Sequence, residues 1–593
     1  MLRRRKMEEK NLEKEERQSM MRHSMAHVLA KAILKLYPKT WLTIGPEIED
    51  GFYYDIDSEH QFVPEDFDKI EKKMGEIIAN NEDFVRKEIS KAEALKLFAG
   101  NKYKVEIIND LPEDAVISIY YTGDDFVDLC RGPHVENTKF LRGFAYKFNR
   151  VSGAYWRGSE KNKMLQRIYF YGFADKKDLR EHLALIEEAK QRDHRKLGKE
   201  LGIFMISDVV GKGLPMWLPN GFTLRRTLLN YITDKEIDLG YKHVCTPDLG
   251  SKELYLTSGH WDHYQEDMFP AMVRENETYV LRPMNCPHHM MIFKNFMHSY
   301  KDLPIRIAEI ANDFRFEASG NLTGIERARG FTQNDSHIFC RPDQIEEEIK
   351  GVIDLILDVY KDFGFDKYLF RLSLRDANNK EKYFGNDELW EKSEAALRKI
   401  LKDSGAEYYE AEGEAAFYGP KIDVQVKSAI GHDITLSTVQ LDYQLPEKFE
   451  LEYIDENSQK ARPVVIHRAI LGSLDRFIAF VLEETKGLLP LWLAPVQVKV
   501  LPLTDRNNEY AEKFYKVLKA KKLRVELDDR NEKVGYKIRE ASAMKVPYLI
   551  IVGDEEEKNG TISIRGRNFE NKMGLNFDEF VQRLENEIEN KKR

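Results

Sequence analysis

Residues 312–339 read NDFRFEASGNLTGIERARGFTQNDSHIF, two strand-like runs joined by a glycine-containing loop, Ser319 to Gly324. In the first run Arg315 and Glu317 sit two apart. On a strand they point to one face, where a guanidinium can grip a phosphate and a carboxylate can accept from an amino group. In the second run Arg327, Arg329, Phe331, Gln333, Asp335 and His337 all fall on one face. That face is too polar for a core and too organised for a solvated edge, which predicts a binding surface carried on strands. Further along, VVIHRAILGSLDRFIAF (464–480) puts Gly472 and Arg476 one helical turn apart on an otherwise apolar segment. A buried arginine is costly unless paired, so a phosphate or a carboxylate is expected opposite Arg476. Upstream, GYKHVCTPDL (240–249) reads as a strand ended by Pro247, after a long helix begun near Thr223.

Around these segments, residues 199–490 mix long helices with strands such as Lys421 to Val426 and Asp433 to Asp442. The order is irregular rather than βαβα, which favours an antiparallel sheet with helices packed on it. From Asp175 to Gly198 a capping Asp, apolar Leu179, Leu183 and Ile186, and a final Gly predict one charged helix that links two domains. The preceding residues, 19–174, are mixed α+β, with a helix over Met20 to Leu36 and hairpin-like strands around Gly51 to Asp57. After Ala494, the alternation Val496, Val498, Val500 opens a regular small α/β domain of residues 494–593. It carries helices from Asn507, Asn531 and Phe577, and strands at Arg524 to Asp528, Tyr548 to Gly553 and Thr561 to Arg567.

The chain has 593 residues, 42% apolar and 33% charged, enough for about three to four domains with cores of their own. Its longest charge-free apolar stretch, Gly487 to Val498, is too short to span a bilayer. A net charge of −9 argues against non-specific coating of nucleic acid and leaves room for a local basic face. The basic start, MLRRRKMEEKNLEKEER, lacks the apolar region of a secretory signal, so a cytoplasmic protein is expected. With only four cysteines, Cys130, Cys245, Cys286 and Cys340, each is read as core, ligand or catalyst rather than as part of a disulfide framework. Cys286, His337 and His467 come from three different segments, and each alone reads equally well as a core residue.

Pro247, Arg315 to Glu317 and Gly472 to Arg476 together resemble the three signature motifs of class II aminoacyl-tRNA synthetases. RPMNCPHHM, RGFTQNDSHIF, FYGPKIDVQV, STVQLDYQLPE and VIHRAILGSLDRF are similar to segments of the threonyl-tRNA synthetases, and the resemblance covers nearly the whole chain. It implies an antiparallel-sheet catalytic core (199–493), an N-terminal editing domain (19–174), a linker helix (175–198) and an anticodon-binding domain (494–593). The implied activity is joining threonine to tRNA(Thr) through an adenylate. Arg315 would meet the α-phosphate of ATP, Arg476 the γ-phosphate, and Arg327 the phosphates generally. Glu317 would read the adenine amino group and Phe331 would stack on the ring, with Mg²⁺ sharing the phosphate charge. Cys286, His337 and His467 align with the family's zinc ligands, one zinc per subunit, taking the amino and hydroxyl groups of threonine so that valine is rejected. Asp335 would fix the threonine side chain, and Met284, Gln333, Tyr418, Lys421, Gln440 and Ser473 match further pocket positions. Thr435 stands where a glutamine is frequent in the family and is left outside the site.

Serine lacks only a methyl group and should be separated from threonine by only about 1–3 kcal/mol, so a second sieve is expected. His23 and His27 in HSMAH lie on one helix face, and Cys130 and His134 in CRGPH form a second pair. Two such pairs have the donor set of a tetrahedral zinc site. With Lys104 and Asp128 they also resemble the family's editing site, which hydrolyses Ser-tRNA(Thr) without metal. In the C-terminal domain, Arg565 and Arg567 share a predicted strand face, and Arg565 with Glu556 matches positions that read anticodon bases. Only a highly charged stretch of about 18 residues precedes the HSMAH helix, so the ubiquitin-like domain that begins many family members is expected to be absent. The first motif implies a homodimer; no membrane or DNA partner is expected. A serine or proline enzyme would not need zinc ligands at these positions. A catalytically dead RNA-binding paralogue would be expected to have lost Arg315, Arg476 or a zinc ligand, and none is lost.

Overall fold

The computed structural model describes residues 2–113, 115–379, 382–383, 387–429, 431, 433–567 and 570–592. Met1, at the start of the expected N-terminal extension, and Arg593, at the end of the expected C-terminal domain, lie outside them. The chain divides into two compact units, Met1–Glu187 and Glu188–Arg593.

In the first unit the extension is not separate from the HSMAH helix: α1 runs from Leu2 to Leu36. Its apolar positions Met25, Ala26, Val28, Leu29 and Ile33 are buried. They pack with β1 (Gly51–Ser58), which lies in a five-stranded sheet with β5 (Ala145–Tyr155) and β6 (Met164–Phe173). A second sheet, β2 (Phe84–Ile89), β3 (Ile117–Thr122) and β4 (Val127–Leu129), is antiparallel throughout. Between β2 and β3 lies α2 (Lys102–Asn109), whose N-terminus is capped by Asn101 through Tyr103 N and Lys104 N.

The expected single linker helix is two helices. One ends at Arg192, and α3 (His194–Glu200) begins after Asp193, whose carboxylate accepts from Arg195 N. Asp193 is a better N-cap than a helix-interior residue, so it ends one helix and starts the next. The division between units falls at Glu187/Glu188, inside the segment expected to link the two domains.

The second unit is built on an eight-stranded sheet in the order β7 (Lys242–His243), β8 (Ile305–Phe314), β9 (Gly330–Cys340), β14 (Val464–Ser473), β13 (Asp433–Asp442), β12 (Lys421–Lys427), β10 (Tyr368–Leu374), β11 (Tyr408–Glu412). Its interior pairings are antiparallel, and only the outermost pair at each edge is parallel. The 464–473 run is buried on both faces, which is why it reads as nearly continuous apolar sequence. Helices α4 (Pro219–Asp238), α6 (Ile345–Phe363) and α7 (Leu474–Thr485) contribute to the same core as the central strands. On the face opposite His467, Arg468 meets Glu236 of α4 at 2.5 Å, and Asn334 of β9 donates to the same carboxylate oxygen at 2.8 Å.

Three local expectations differ from the structure. Arg315 and Glu317 lie beyond the end of β8, and Arg327 and Arg329 precede β9, so the polar strand face begins at Phe331. The 464–480 segment is a strand followed by a helix, because Ser473 caps α7 by accepting from Arg476 N. Gly472 has φ +60°, and a Cβ there would lie 2.6 Å from the Leu436 carbonyl oxygen, so the strand-to-helix turn admits only glycine. Within the 240–249 segment Lys242–His243 pairs with the main sheet and Leu249 starts a separate short strand, Leu249–Ser251, so Pro247 lies in the turn between the two.

The last hundred residues form a five-stranded sheet in the order β16 (Val525–Leu527), β15 (Val498–Pro502), β17 (Tyr548–Val552), β18 (Ile562–Gly566), β19 (Asn571–Leu575). Helices α8 (Asn508–Ala520) and α9 (Phe577–Glu589) share its apolar core. Strand β18 stops at Gly566, so Arg567 does not share a strand face with Arg565; its guanidinium turns back to the Leu489 carbonyl. Among the described residues, no helix is long and apolar enough to cross a membrane.

Candidate functional site

The register of the central sheet builds the first site. His337 on β9 lies directly opposite His467 on β14, and His467 lies opposite Gln440 on β13. Directly opposed residues of antiparallel strands stand about 4.5–5.5 Å apart, so two residues distant in sequence become ring neighbours, with centroids 4.6 Å apart. Cys286 is the first residue of α5 (Cys286–Lys294). Its Sγ and one nitrogen from each ring all lie within 4.8 Å of one another, and all three residues are buried. His337 Nδ1 is 2.8 Å from His289 Nδ1, and His467 Nε2 is 2.9 Å from Asp442 Oδ2. The other nitrogens, His337 Nε2 and His467 Nδ1, are buried without a hydrogen-bond partner. Two unpartnered imidazole nitrogens converging with a cysteine sulfur are the donor set of a zinc ion. Burial lowers the basicity of His337, which keeps a lone pair available, and raises the Cys286 thiol, an effect a bound cation would reverse.

Beside this cluster a cavity of about 320 Å³ is lined by Arg315, Glu317, Arg327, Phe331, Gln333, Lys421, Gln440, Ser473 and Arg476. Gln333 and Ser473 are register partners, as are Lys421 and Gln440. Arg315 lies 5.2 Å from the Phe331 ring and donates to the Pro283 carbonyl at 3.2 Å. Arg476 donates to the Glu326 carbonyl at 3.2 Å. Burial and the neighbouring Arg327 and Arg315 lower the Arg476 pKa, against Glu326, so this end of the cavity is a crowded cationic site suited to a polyanion. Tyr418 bridges cavity and cluster: its ring stacks on His467 at 5.0 Å and its hydroxyl donates to Gln440 Oε1 at 2.5 Å. Met284 is half-buried in the small core that contains Cys286, and Asp335 Oδ2 lies 4.0 Å from His337 Nε2. Burial pushes the Asp335 carboxyl up.

Sequence reading passed over Thr435, which lines this cavity, and Asp442, which orients His467. Asp442 could have been found, since it shares a strand face with Gln440 two residues earlier. Arg329 donates to the Glu317 carbonyl at 3.0 and 2.9 Å, so it braces the loop rather than lining the cavity.

In the first unit His23, His27, Cys130 and His134 also converge to within 4.8 Å. Cys130 Sγ is 3.3 Å from His23 Nε2 and 3.2 Å from His134 Nε2, and Ser24 Oγ is 3.1 Å from His134 Nδ1. Burial lowers the pKa of all three histidines and pushes the Cys130 thiol up to about 11, so the cluster is neutral near pH 7. The cluster opens on a cavity of about 680 Å³ whose lining includes Lys104, Asp128 and Tyr54. Lys104 Nζ and Asp128 Oδ1 pair at 2.5 Å, and Tyr54 donates its hydroxyl to the same carboxylate.

In the last hundred residues Arg565 is exposed, whereas Glu556 is buried, accepting from Gly553 N at 3.0 Å and Ser563 Oγ at 2.6 Å. Glu556 therefore caps its own short helix, Asp554–Asn559.

Residues 268–485 match the tRNA synthetase class II core domain (G, H, P, S and T), 497–587 the anticodon binding domain, and 117–169 the threonyl and alanyl tRNA synthetase second additional domain. The threonine–tRNA ligase of Geobacillus sp. (strain WCH70) is 55% identical over 571 residues, 96% of this chain and 88% of that protein. The chain belongs to the threonine–tRNA ligase family. Threonine–tRNA ligase 1 of Bacillus subtilis (strain 168) is equally similar, 55% over 572 residues, with the same coverage. Among solved structures, the RNA binding domain of threonyl-tRNA synthetase from Cryptosporidium parvum Iowa II matches with a TM-score of 0.63 and 35% identity, covering 66% of this chain and 98% of that one. The fold is that of the ligase family: a class II core on an antiparallel-rich sheet, a second additional domain of the type associated with editing, and an anticodon-binding domain.

Proposed function

We propose that the chain activates L-threonine with ATP to threonyl-adenylate and transfers the threonyl group to tRNA(Thr), using residues 199–493 as the catalytic domain. The threonine carboxylate attacks the α-phosphorus, pyrophosphate leaves, and a terminal ribose hydroxyl of the tRNA then displaces AMP. Arg315 and Arg327 stabilise the charge that gathers on the α-phosphate, and Arg476 holds the γ-phosphate, with Mg²⁺ carrying part of the load. Glu317 and Phe331 select adenine. The observation that carries this reading is the convergence of Cys286 with the two orphaned nitrogens of His337 and His467 beside the arginine-lined cavity. These three residues would hold one zinc per subunit, which supplies a Lewis acid for the amino and hydroxyl groups of threonine. Asp335 and Gln440 face the same space, with Met284, Gln333, Tyr418, Lys421 and Ser473 completing the pocket.

Residues 19–174 serve as the editing domain, in which His23, His27, Cys130, His134, Lys104 and Asp128 hydrolyse Ser-tRNA(Thr). The mechanism is taken as metal-free, as the family resemblance implies, with Cys130 within hydrogen-bonding distance of two of the histidines, although the same four side chains also have the donor set of a tetrahedral zinc site. Residues 494–593 read the anticodon, with Arg565 better placed than Glu556 for base contact. A cytoplasmic homodimer is the working assembly. Its support is the exposure of Phe222, Ile237 and Leu239 on and just after the helix that leads to Pro247.

Pyrophosphate exchange with threonine, serine and valine, with zinc determined on the same sample, tests the reading. Threonine fastest, serine weaker and valine silent, with one zinc per chain, is the expected result. No exchange with any amino acid would overturn it.

A further inference from the structure

The two histidines assigned to zinc are held from behind in different ways. His467 reaches a carboxylate directly, Asp442, at 2.9 Å. His337 reaches one through another ring: its Nδ1 lies 2.8 Å from His289 Nδ1, and His289 Nε2 lies 3.1 Å from Glu309 Oε2. His289 is fully buried and Glu309 is 2% exposed. We propose that His289 and Glu309 are positioning residues of the metal site, fixing the tautomer and ring orientation of His337. This rests on the zinc reading of Cys286, His337 and His467.

The proton positions leave one arrangement. A ligating nitrogen must present a lone pair, and the nitrogen of His337 without a protein partner is Nε2. The ring proton is then on Nδ1 and is donated to His289 Nδ1, which must carry a lone pair. His289 therefore holds its proton on Nε2 and donates it to the Glu309 carboxylate. Glu309 is itself fixed as an acceptor: Thr246 N and Thr246 Oγ1 each donate to it at 2.8 Å, and Asn285 Nδ2 at 3.3 Å. Each link is buried, so bulk water does not compete with these bonds in the intact chain. Removing His289 leaves the His337 Nδ1 proton with no acceptor, and moving that proton to Nε2 blocks the nitrogen that faces the cation. The chain also runs from the segment just before Pro247, through β8, to the metal cluster, which connects the first motif to the metal site through hydrogen bonds alone.

Second partners of this kind commonly change metal affinity 10–100-fold when removed. The test is zinc affinity of the full-length chain by chelator competition, with cobalt(II) absorption as a probe of ligand geometry, for the parent, Cys286→Ala, His289→Ala and Glu309→Gln. We expect one zinc per chain in the parent and none in Cys286→Ala. His289→Ala should bind roughly 10–100-fold more weakly with an altered cobalt spectrum, and Glu309→Gln should fall between it and the parent. A folded His289→Ala protein that binds zinc within twofold of the parent overturns the proposal. If His289→Ala does not fold, Glu309→Gln binding within twofold of the parent overturns it instead. All variants are compared in a His23→Ala/His27→Ala background, which removes the second cysteine–histidine set; zinc retained there by Cys286→Ala would instead sink the zinc reading beneath it.

Discussion

Glu236→Ala tests the polar layer behind the active-site strands. Glu236 and Arg468 are both essentially inaccessible, with Nη1 to Oε1 at 2.5 Å. The guanidinium lies 4.2 Å from the Tyr241 ring centroid, and His243 Nε2 stands 2.9 Å from the second carboxylate oxygen. Burial pushes the Glu236 carboxyl up, but Arg468, His243 and Asn334 outweigh it and keep the group ionised. Truncating it would strand a cation in the core, which costs about 3–5 kcal/mol. At about 2.1 cal/mol/K per residue over roughly 300 residues, 1 kcal/mol is worth about 1.6 °C, so the melting midpoint should drop by about 5–8 °C. Replacing both partners, Glu236→Leu with Arg468→Met, removes the stranded charge and should recover most of the loss. Thermal unfolding of the parent, the single variant and the double variant is the assay. A shift under about 2 °C for the single variant, or a double variant that melts no higher than it, would refute the argument that charge burial rather than lost packing sets the cost.

Replacing His23 and His27 together by Ala should leave threonine charging within about twofold of the parent while Ser-tRNA(Thr) accumulates, because the synthetic site separates serine by only about 10–200-fold; acid-gel analysis of charged tRNA would contradict this if mischarging stayed at the parent level. Arg476→Ala should slow threonine-dependent pyrophosphate exchange by about 10²–10³-fold, the scale for one lost group that stabilises developing charge, and a change under tenfold would remove Arg476 from the catalytic set. Burial pushes the Glu309 carboxyl up, but His289, Thr246 and Arg282 outweigh it and hold it at about 2. Its folded pKa is below the unfolded value, so its stabilisation is present above about pH 4.5 and lost as pH falls toward 2, on the order of 3 kcal/mol. Urea midpoints between pH 6 and pH 3 should therefore fall more steeply for the parent than for Glu309→Gln, and parallel curves would count against the assignment.

The polar face of β9 was readable because strand periodicity is a local property: Phe331, Gln333, Asp335 and His337 share a face whatever the rest of the chain does. Arg315, Arg327 and Arg476 were recognisable as residue types suited to phosphate, although the strand and helix assignments around them were wrong. Turn residues and caps such as Gly472 and Ser473 shift element ends by several positions, and periodicity does not register them. The unbroken linker helix failed at Asp193 for the same reason.

The sequence by itself determined the chemical inventory: a cysteine and histidines able to hold zinc, arginines able to hold phosphate, and a second cysteine–histidine set near the N-terminus. Tertiary structure alone decided which of them meet and in which protonation state. His337 faces His467 only through the register of β9 on β14, and Glu236 pairs with Arg468 across 232 residues of chain. His289 was one histidine among several in the sequence. It acquires its role because two adjacent strands and one helix bring His337 and Glu309 to either side of its ring, and no local pattern encodes a contact made between distant segments.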